Sequence, residues 1–208
     1  RWVRTGPTTM PGEEDTFVAY GTGWANVSNT PFRGYKHDGY EGGISISFIV
    51  HWPDGIGREW RGQIVKTPSH LIDLMPTFLD LAGATYPRVV AGQAIQPMEG
   101  VSLVPALSGK SIGRDKPIGF EHHGNLALRD GRWKIVSAYR RDQPTKWELY
   151  DMENDRTEGR DLALQHPQRL RTMVAQWQAW ADRVGVQPWP LAPKPATRKP
   201  TASIAPGN

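Results

Sequence analysis

The sequence predicts an α/β fold that closes in a small antiparallel sheet packed by one amphipathic helix. Three observations carry that prediction. A short run rich in β-branched residues, Ile44-Ser45-Ile46-Ser47-Phe48-Ile49-Val50, precedes a helical pattern over residues 73–83. From about residue 110 the pattern changes to short strands separated by turns. An apolar stripe at helical spacing then runs from 167 to 184. These patterns divide the chain into an α/β part over 1–110, an α+β part over 111–190 and a Pro/Ala/Thr/Lys tail over 191–208, expected to be disordered.

Residues 1–34 are rich in Gly, Pro, Asn and Thr and read as an irregular segment, with a short helix near 16–20. Long ordered loops of this kind commonly serve a site. Next comes Tyr35-Lys36-His37-Asp38-Gly39-Tyr40-Glu41-Gly42-Gly43. It reads as a sharp turn at the glycine pair, where backbone angles closed to other residues are available. The chain then enters a buried strand over 44–50. A lysine on such a loop lies where α/β proteins bind ligands, and its compact charge suits an anion. Lys36 is therefore the candidate catalytic residue.

Pro76 fixes the next helix. A proline inside a helix removes a hydrogen bond, so the economical start has Asp73 as N-cap and Pro76 in the first turn. Gly83 supplies the stop. Leu74, Met75, Phe78, Leu79 and Ala82 share a face and are expected to meet a core. Asp130-Gly131 is a strong hairpin signal between Leu126–Arg129 and an alternating, half-buried strand over 132–139. A further strand spans 147–151. Pro167 opens the last helix, Leu170, Met173, Val174, Trp177, Ala181 and Val184 form its stripe, and Gly185 ends it.

Composition excludes several classes. The 208 residues carry 25 Lys and Arg against 21 Asp and Glu, a net charge of +4, and the basic residues are scattered. That argues against a nucleic-acid partner. The longest apolar run, 44–52, contains serines and a histidine and is too short to cross a membrane. With no cysteine, disulfides, thiolate metal sites and cysteine nucleophiles are out. The chain starts at Arg1 with no visible targeting signal, which reads as part of a longer product. Periplasm and cytoplasm of a bacterium both stay open as destinations.

A second candidate site is Glu121-His122-His123, a carboxylate beside two imidazoles, which can bind metal or move protons. Neighbours on a strand point to opposite faces, so His122 and His123 are not expected to share one ion. They stand as candidate substrate-binding residues, and no metal ligand is assigned. No GxSxG, P-loop or GxGxxG motif is present, so the chain offers no convincing nucleophile of its own.

Several segments together resemble the type I sulfatases. Lys36-x-x-x-x-Glu41-Gly42-Gly43 resembles their lysine loop, and Gly23-Trp24-Ala25-Asn26-Val27-Ser28-Asn29-Thr30-Pro31-Phe32-Arg33 looks like the bacterial arylsulfatase branch. Asp73 to Gly83 matches a D-x-x-P-T-x-x-D-x-A-G helix. Arg129 to Lys134 and Trp147 to Met152, followed by Asp155, look like C-terminal strands of the family. The resemblance covers residues from about 20 to 190. It departs from the usual pattern at Ser45 and Ser47, where many members carry Arg and then Pro.

The resemblance implies the end of an alkaline-phosphatase-like catalytic domain that hydrolyses sulfate esters. It implies a formylglycine nucleophile and a Ca2+ ion held by Asp and Asn oxygens, both from motifs upstream of this chain. Lys36 would hold a sulfate oxygen and the leaving-group oxygen. The partners implied are a small-molecule sulfate ester and the missing N-terminal part of the same protein, without which the chain is expected to be inactive. Two other readings stay open: a phosphodiesterase or phosphonate hydrolase of the same fold, and a non-catalytic anion-binding domain.

Overall fold

The computed structural model describes residues 3–10, 12–17 and 21–191. The helix expected near 16–20 falls largely outside them, as does the tail expected beyond Leu191. Helix α1 (Gly21–Ser28) leads to a single helical turn, α2 (Glu41–Ile44), and then to α3 (Leu74–Ala82). A two-stranded ribbon of β1 (Val89–Val90) and β2 (Gln93–Ala94) follows. The main sheet has four antiparallel strands in sequential order: β3 (Ile118–His122), β4 (Asn125–Asp130), β5 (Trp133–Ser137) and β6 (Glu148–Asp151). Helix α4 (Pro167–Val184) closes the chain. None of the helices among the described residues is long and apolar enough to cross a membrane.

Helix α4 has the boundaries that its sequence signals predict, from Pro167 to the left-handed cap at Gly185. Met173, Trp177 and Ala181 bury against Leu128, Ile135 and Leu149 on one face of β4, β5 and β6. Trp180 lies so close to Gly119 of β3 that a Cβ there would fall 2.3 Å from the indole. Each large apolar side chain buried in this layer contributes about 1.5–3 kcal/mol.

Strand β5 departs from the expected half-buried alternation. Lys134, Ile135, Val136 and Ser137 are all buried, because both faces of the sheet are covered. Ile135 faces α4. On the other face Val136 packs with Ala127, Tyr150, Met152 and Tyr40, the last contributed by the lysine-bearing loop. The sheet is therefore the base on which the 33–45 segment rests.

Two expectations are corrected. Residues 45–50 form no strand, and residues 46–50 are exposed, because no neighbouring strand among the described residues offers the edge that this β-branched run needs. Helix α3 begins after Asp73 and ends at left-handed Gly83 as its signals require, but its apolar face is not covered. Pro76 and Thr77 are buried instead, while Met75, Phe78 and Ala82 face solvent. Asp73 does not cap the helix with its side chain. Its carboxylate is fully buried, accepts hydrogen bonds from the backbone N–H of His70 (2.7 Å) and Val101 (3.0 Å), and pairs with Arg114.

Candidate functional site

The segment from Arg33 to Ser45 is held against the outer face of the sheet by two sets of polar contacts. At its start, the Tyr40 hydroxyl donates to Glu148 Oε2 at 2.7 Å, as does the Tyr150 hydroxyl at 2.6 Å. Arg33 donates to Tyr150 (2.9 Å) and lies 4.0 Å above the Tyr40 ring. Burial first, then the carboxylate of Glu148, pushes both phenols well above the ordinary tyrosine range. They stay protonated and remain donors.

At its end, Glu41 is buried beside Lys134, whose side chain is wholly inaccessible. Lys134 Nζ donates to Glu41 Oε1 at 2.9 Å, and Glu158 Oε1 lies 2.8 Å from the same nitrogen as an ion pair without hydrogen-bond alignment. Glu158 Oε2 accepts the Glu41 backbone N–H at 2.6 Å, and Arg156 donates to Glu41 Oε2 at 3.1 Å. Burial pushes the Glu41 carboxyl upward, but the charge of Lys134 and hydrogen bonds from Lys134 and Arg156 outweigh it, and the net shift is down. Burial wins at Glu158, which is shifted up despite Lys134. Two carboxylates thus share one ammonium, and Glu41 keeps the charge more readily.

Gly42 and Gly43 serve this packing in a way the sequence reading did not anticipate. Neither has a left-handed backbone. A Cβ on Gly42 would lie 2.2 Å from the carbonyl oxygen of Gly34, and one on Gly43 2.2 Å from that of Asp38. Glycine is required there because the 33–39 backbone passes directly overhead, not because of dihedral freedom.

Lys36 sits on the exposed crest of this anchored loop, with no ion-pair partner among the described residues. His37 follows it with a left-handed backbone (φ 81°). Its ring stacks on those of His122 and His123 at centroid separations of 4.6 and 5.2 Å. His37 Nδ1 and His122 Nε2 share a hydrogen bond of 2.6 Å. Local desolvation first, then the neighbouring imidazoles and Lys36, lowers the His37 pKa.

The expectation that His122 and His123 point apart is overturned. His122 ends β3 and pairs with Asn125, which leaves His123 and Gly124 as the hairpin turn. Both turn residues have positive φ, 51° and 79°, so strand alternation stops at His122 and the two rings stack at 4.2 Å. Trp189 packs on the far side of His123 at 4.6 Å. Glu121 turns away from the cluster and accepts the Gly124 N–H at 2.9 Å. Below the histidines lies an open cleft of about 250 Å³ bordered by Asp38, His70, Phe120 and Trp180.

The structure thus brings the two predicted site segments together: the residue after Lys36 touches His122 and His123. Sequence reasoning missed His37, whose adjacency to Lys36 was the available signal. It also missed the Lys134–Glu41–Glu158 cluster, which joins residues more than ninety positions apart and has no local signature.

Comparison with known proteins finds sulfatases. The family model described as Sulfatase matches residues 9–84. An uncharacterized sulfatase of Schizosaccharomyces pombe is 29% identical over 178 residues, 84% of this chain and 32% of its own length. The arylsulfatase of Klebsiella aerogenes is 39% identical over 93 residues, 44% of this chain and 19% of its own. The crystal structure of Ps i-CgsB superposes with a TM-score of 0.55 at 30% identity, covering 74% of this chain and 32% of that one. The chain spans about a third or less of the length of each of these relatives.

Proposed function

Because this chain is similar to sulfatases in sequence and in fold, we propose that it forms part of an arylsulfatase-type hydrolase of sulfate esters. In this reading Lys36 holds a sulfate oxygen and the leaving-group oxygen, while His122 and His123 line the substrate pocket. One observation carries it: an exposed lysine, with no ion-pair partner among the described residues, at the crest of a loop that is pinned by buried charge. A fixed ammonium is worth most where negative charge grows during reaction, because it needs no reorganisation.

The site meets substrate with the chain's own groups as follows. Lys36 attracts and orients the anion, and the neighbouring imidazoles close one side of the pocket. Glu41 and Lys134 keep the loop from yielding as charge accumulates. The formylglycine nucleophile and the calcium ion of this reading belong to the complete protein. Calcium takes hard oxygen donors, whereas the donors gathered beside Lys36 are three imidazole nitrogens. They do not fit calcium.

The partner in this reading is the remainder of the same protein. Ile46, Phe48, Ile49, Met75 and Phe78 are exposed, and an apolar surface of that extent is suited to a covering element. The test is turnover of nitrophenyl sulfate and nitrophenyl phosphate esters by the complete protein. Preferential sulfate hydrolysis supports the reading. A preference for phosphate or phosphonate esters would replace it with the phosphoryl-transfer alternative. Sulfate binding without hydrolysis would replace it with an anion-binding role.

A further inference from the structure

We propose that His37, His122 and His123 form a binding site for a divalent transition cation of the zinc type. The proposal goes beyond the hydrolase reading and does not rest on it.

The three rings come from two separate segments, the lysine loop and the β3–β4 turn. One nitrogen from each ring lies within 4.8 Å of the other two, and no other such group of three potential ligands occurs among the described residues. Three ligands on one zinc, with bonds of about 2.0–2.1 Å in tetrahedral geometry, stand about 3.3 Å apart. His37 Nδ1 and His122 Nε2, at 2.6 Å, need to part by less than about 1 Å. His123 needs to close by a little more. All three residues are exposed, so the rings have room to turn out of their stack and aim their in-plane lone pairs at one ion.

The donor type selects the metal. Neutral imidazole suits zinc, nickel, copper and cobalt, whereas calcium and magnesium demand oxygen. Three histidines leave the fourth position of a tetrahedral ion open to water. The 2.6 Å contact is an N–H···N hydrogen bond, which uses one proton to join two lone pairs that repel. A cation serves both lone pairs at once, and the displaced proton moves to the other nitrogen of its ring.

Two features hold the ligands ready. His37 and His123 both occupy left-handed backbone (φ 81° and 51°), uncommon for residues with a Cβ. Trp189 backs the His123 ring, which limits its swing. Lys36 next to His37 opposes a cation by charge, and Asp38 on the other side offsets it.

The experiment is a titration of the full chain with zinc chloride in a non-coordinating buffer. Calorimetry gives stoichiometry and affinity, and histidine ring NMR signals report the ligands. The proposal expects one equivalent of zinc, with three ring systems shifting together in the unmodified chain. His37→Gln, His122→Gln and His123→Gln are each expected to weaken binding at least tenfold. His51→Gln, outside the cluster, is expected to leave binding intact. Retained binding in a variant that combines the three substitutions overturns the site, as does a loss in His51→Gln equal to that in the others. Ring signals that answer sulfate and ignore zinc overturn it too. Because the NMR arm needs no variant, a substitution that unfolds the chain does not decide the matter.

Discussion

Lys134 Nζ lies 2.9 Å from Glu41 Oε1, both groups buried and contributed by segments ninety-three positions apart. This contact ties the Glu-Gly-Gly turn to the middle of the sheet and, through it, fixes the loop that presents Lys36. A lysine with no accessible surface is tolerated only when its charge is matched. Glu41 and Glu158 supply that match.

Lys134→Met is expected to destabilise the chain by about 3–5 kcal/mol near neutral pH, since it leaves two buried carboxylates without their cation. Without the ammonium, Glu158 loses what opposes its burial and is raised further above the ordinary glutamate value of about 4.3, while Glu41 keeps only Arg156 and Arg129 against burial. A raised folded-state pKa gives stability that is complete below the unfolded value and lost as pH rises. The deficit of Lys134→Met should therefore shrink toward acid. Urea melts at neutral pH and below pH 5 check this, and an equal deficit at both would contradict it.

Gly42→Ala tests whether close approach, and not backbone freedom, requires glycine. A Cβ 2.2 Å from the Gly34 carbonyl oxygen forces two backbone segments apart, at a cost of about 1–3 kcal/mol. Gly23→Ala, where nothing lies within 4 Å of a new Cβ and φ is not positive, meets neither clash nor backbone strain. A Gly42→Ala protein with the unmodified chain's urea midpoint would refute the packing argument.

The acid limb of stability should carry a signature of Asp151. Hydrogen bonding from Arg132 first, then from Asn154 and the Glu153 N–H, holds its pKa down at about 2. A depressed carboxyl contributes stability that is present above its unfolded value, about 3.9, and lost as pH falls through about 2. Asp151→Asn should flatten the stability profile in that window and leave the slope above pH 5 unchanged. Circular-dichroism melts across pH 2–6 provide the comparison.

Trp177 joins the core and the rim of the sheet. Its ring packs in the α4 layer, and its Nε1 donates to the Phe120 carbonyl at 3.2 Å. Trp177→Ala should cost about 3–5 kcal/mol, whereas truncating exposed Phe78 should change stability of this chain little. Equal losses at the two positions would mean that the α3 face is covered in solution.

Local signals were the legible part of this fold. Pro167 and Gly185 bracket α4, Gly131 with its positive φ opens the two-residue β4–β5 turn one position later than an Asp-Gly turn would, and Gly83 ends α3, because each depends on dihedral preferences within a few residues. What depended on partners was read wrongly. The 44–50 run has strand composition without a strand to pair with, and α3 has an amphipathic face with nothing on it among the described residues. At the site, Lys36 and the two histidines were visible by residue type. Their meeting was hidden, because it depends on His123 leaving the strand at a turn and on Lys134 reaching Glu41 across the sheet.

The most direct test of the account is the kcat/KM of Lys36→Ala for nitrophenyl sulfate in the complete protein, alongside its circular-dichroism spectrum and melting temperature. Lys36 is exposed and outside the buried network, so the fold should be unchanged. Loss of a charged donor to the developing oxyanion should lower turnover about 10²–10³-fold. A folded Lys36→Ala protein with the unmodified rate would contradict the proposed role of this loop.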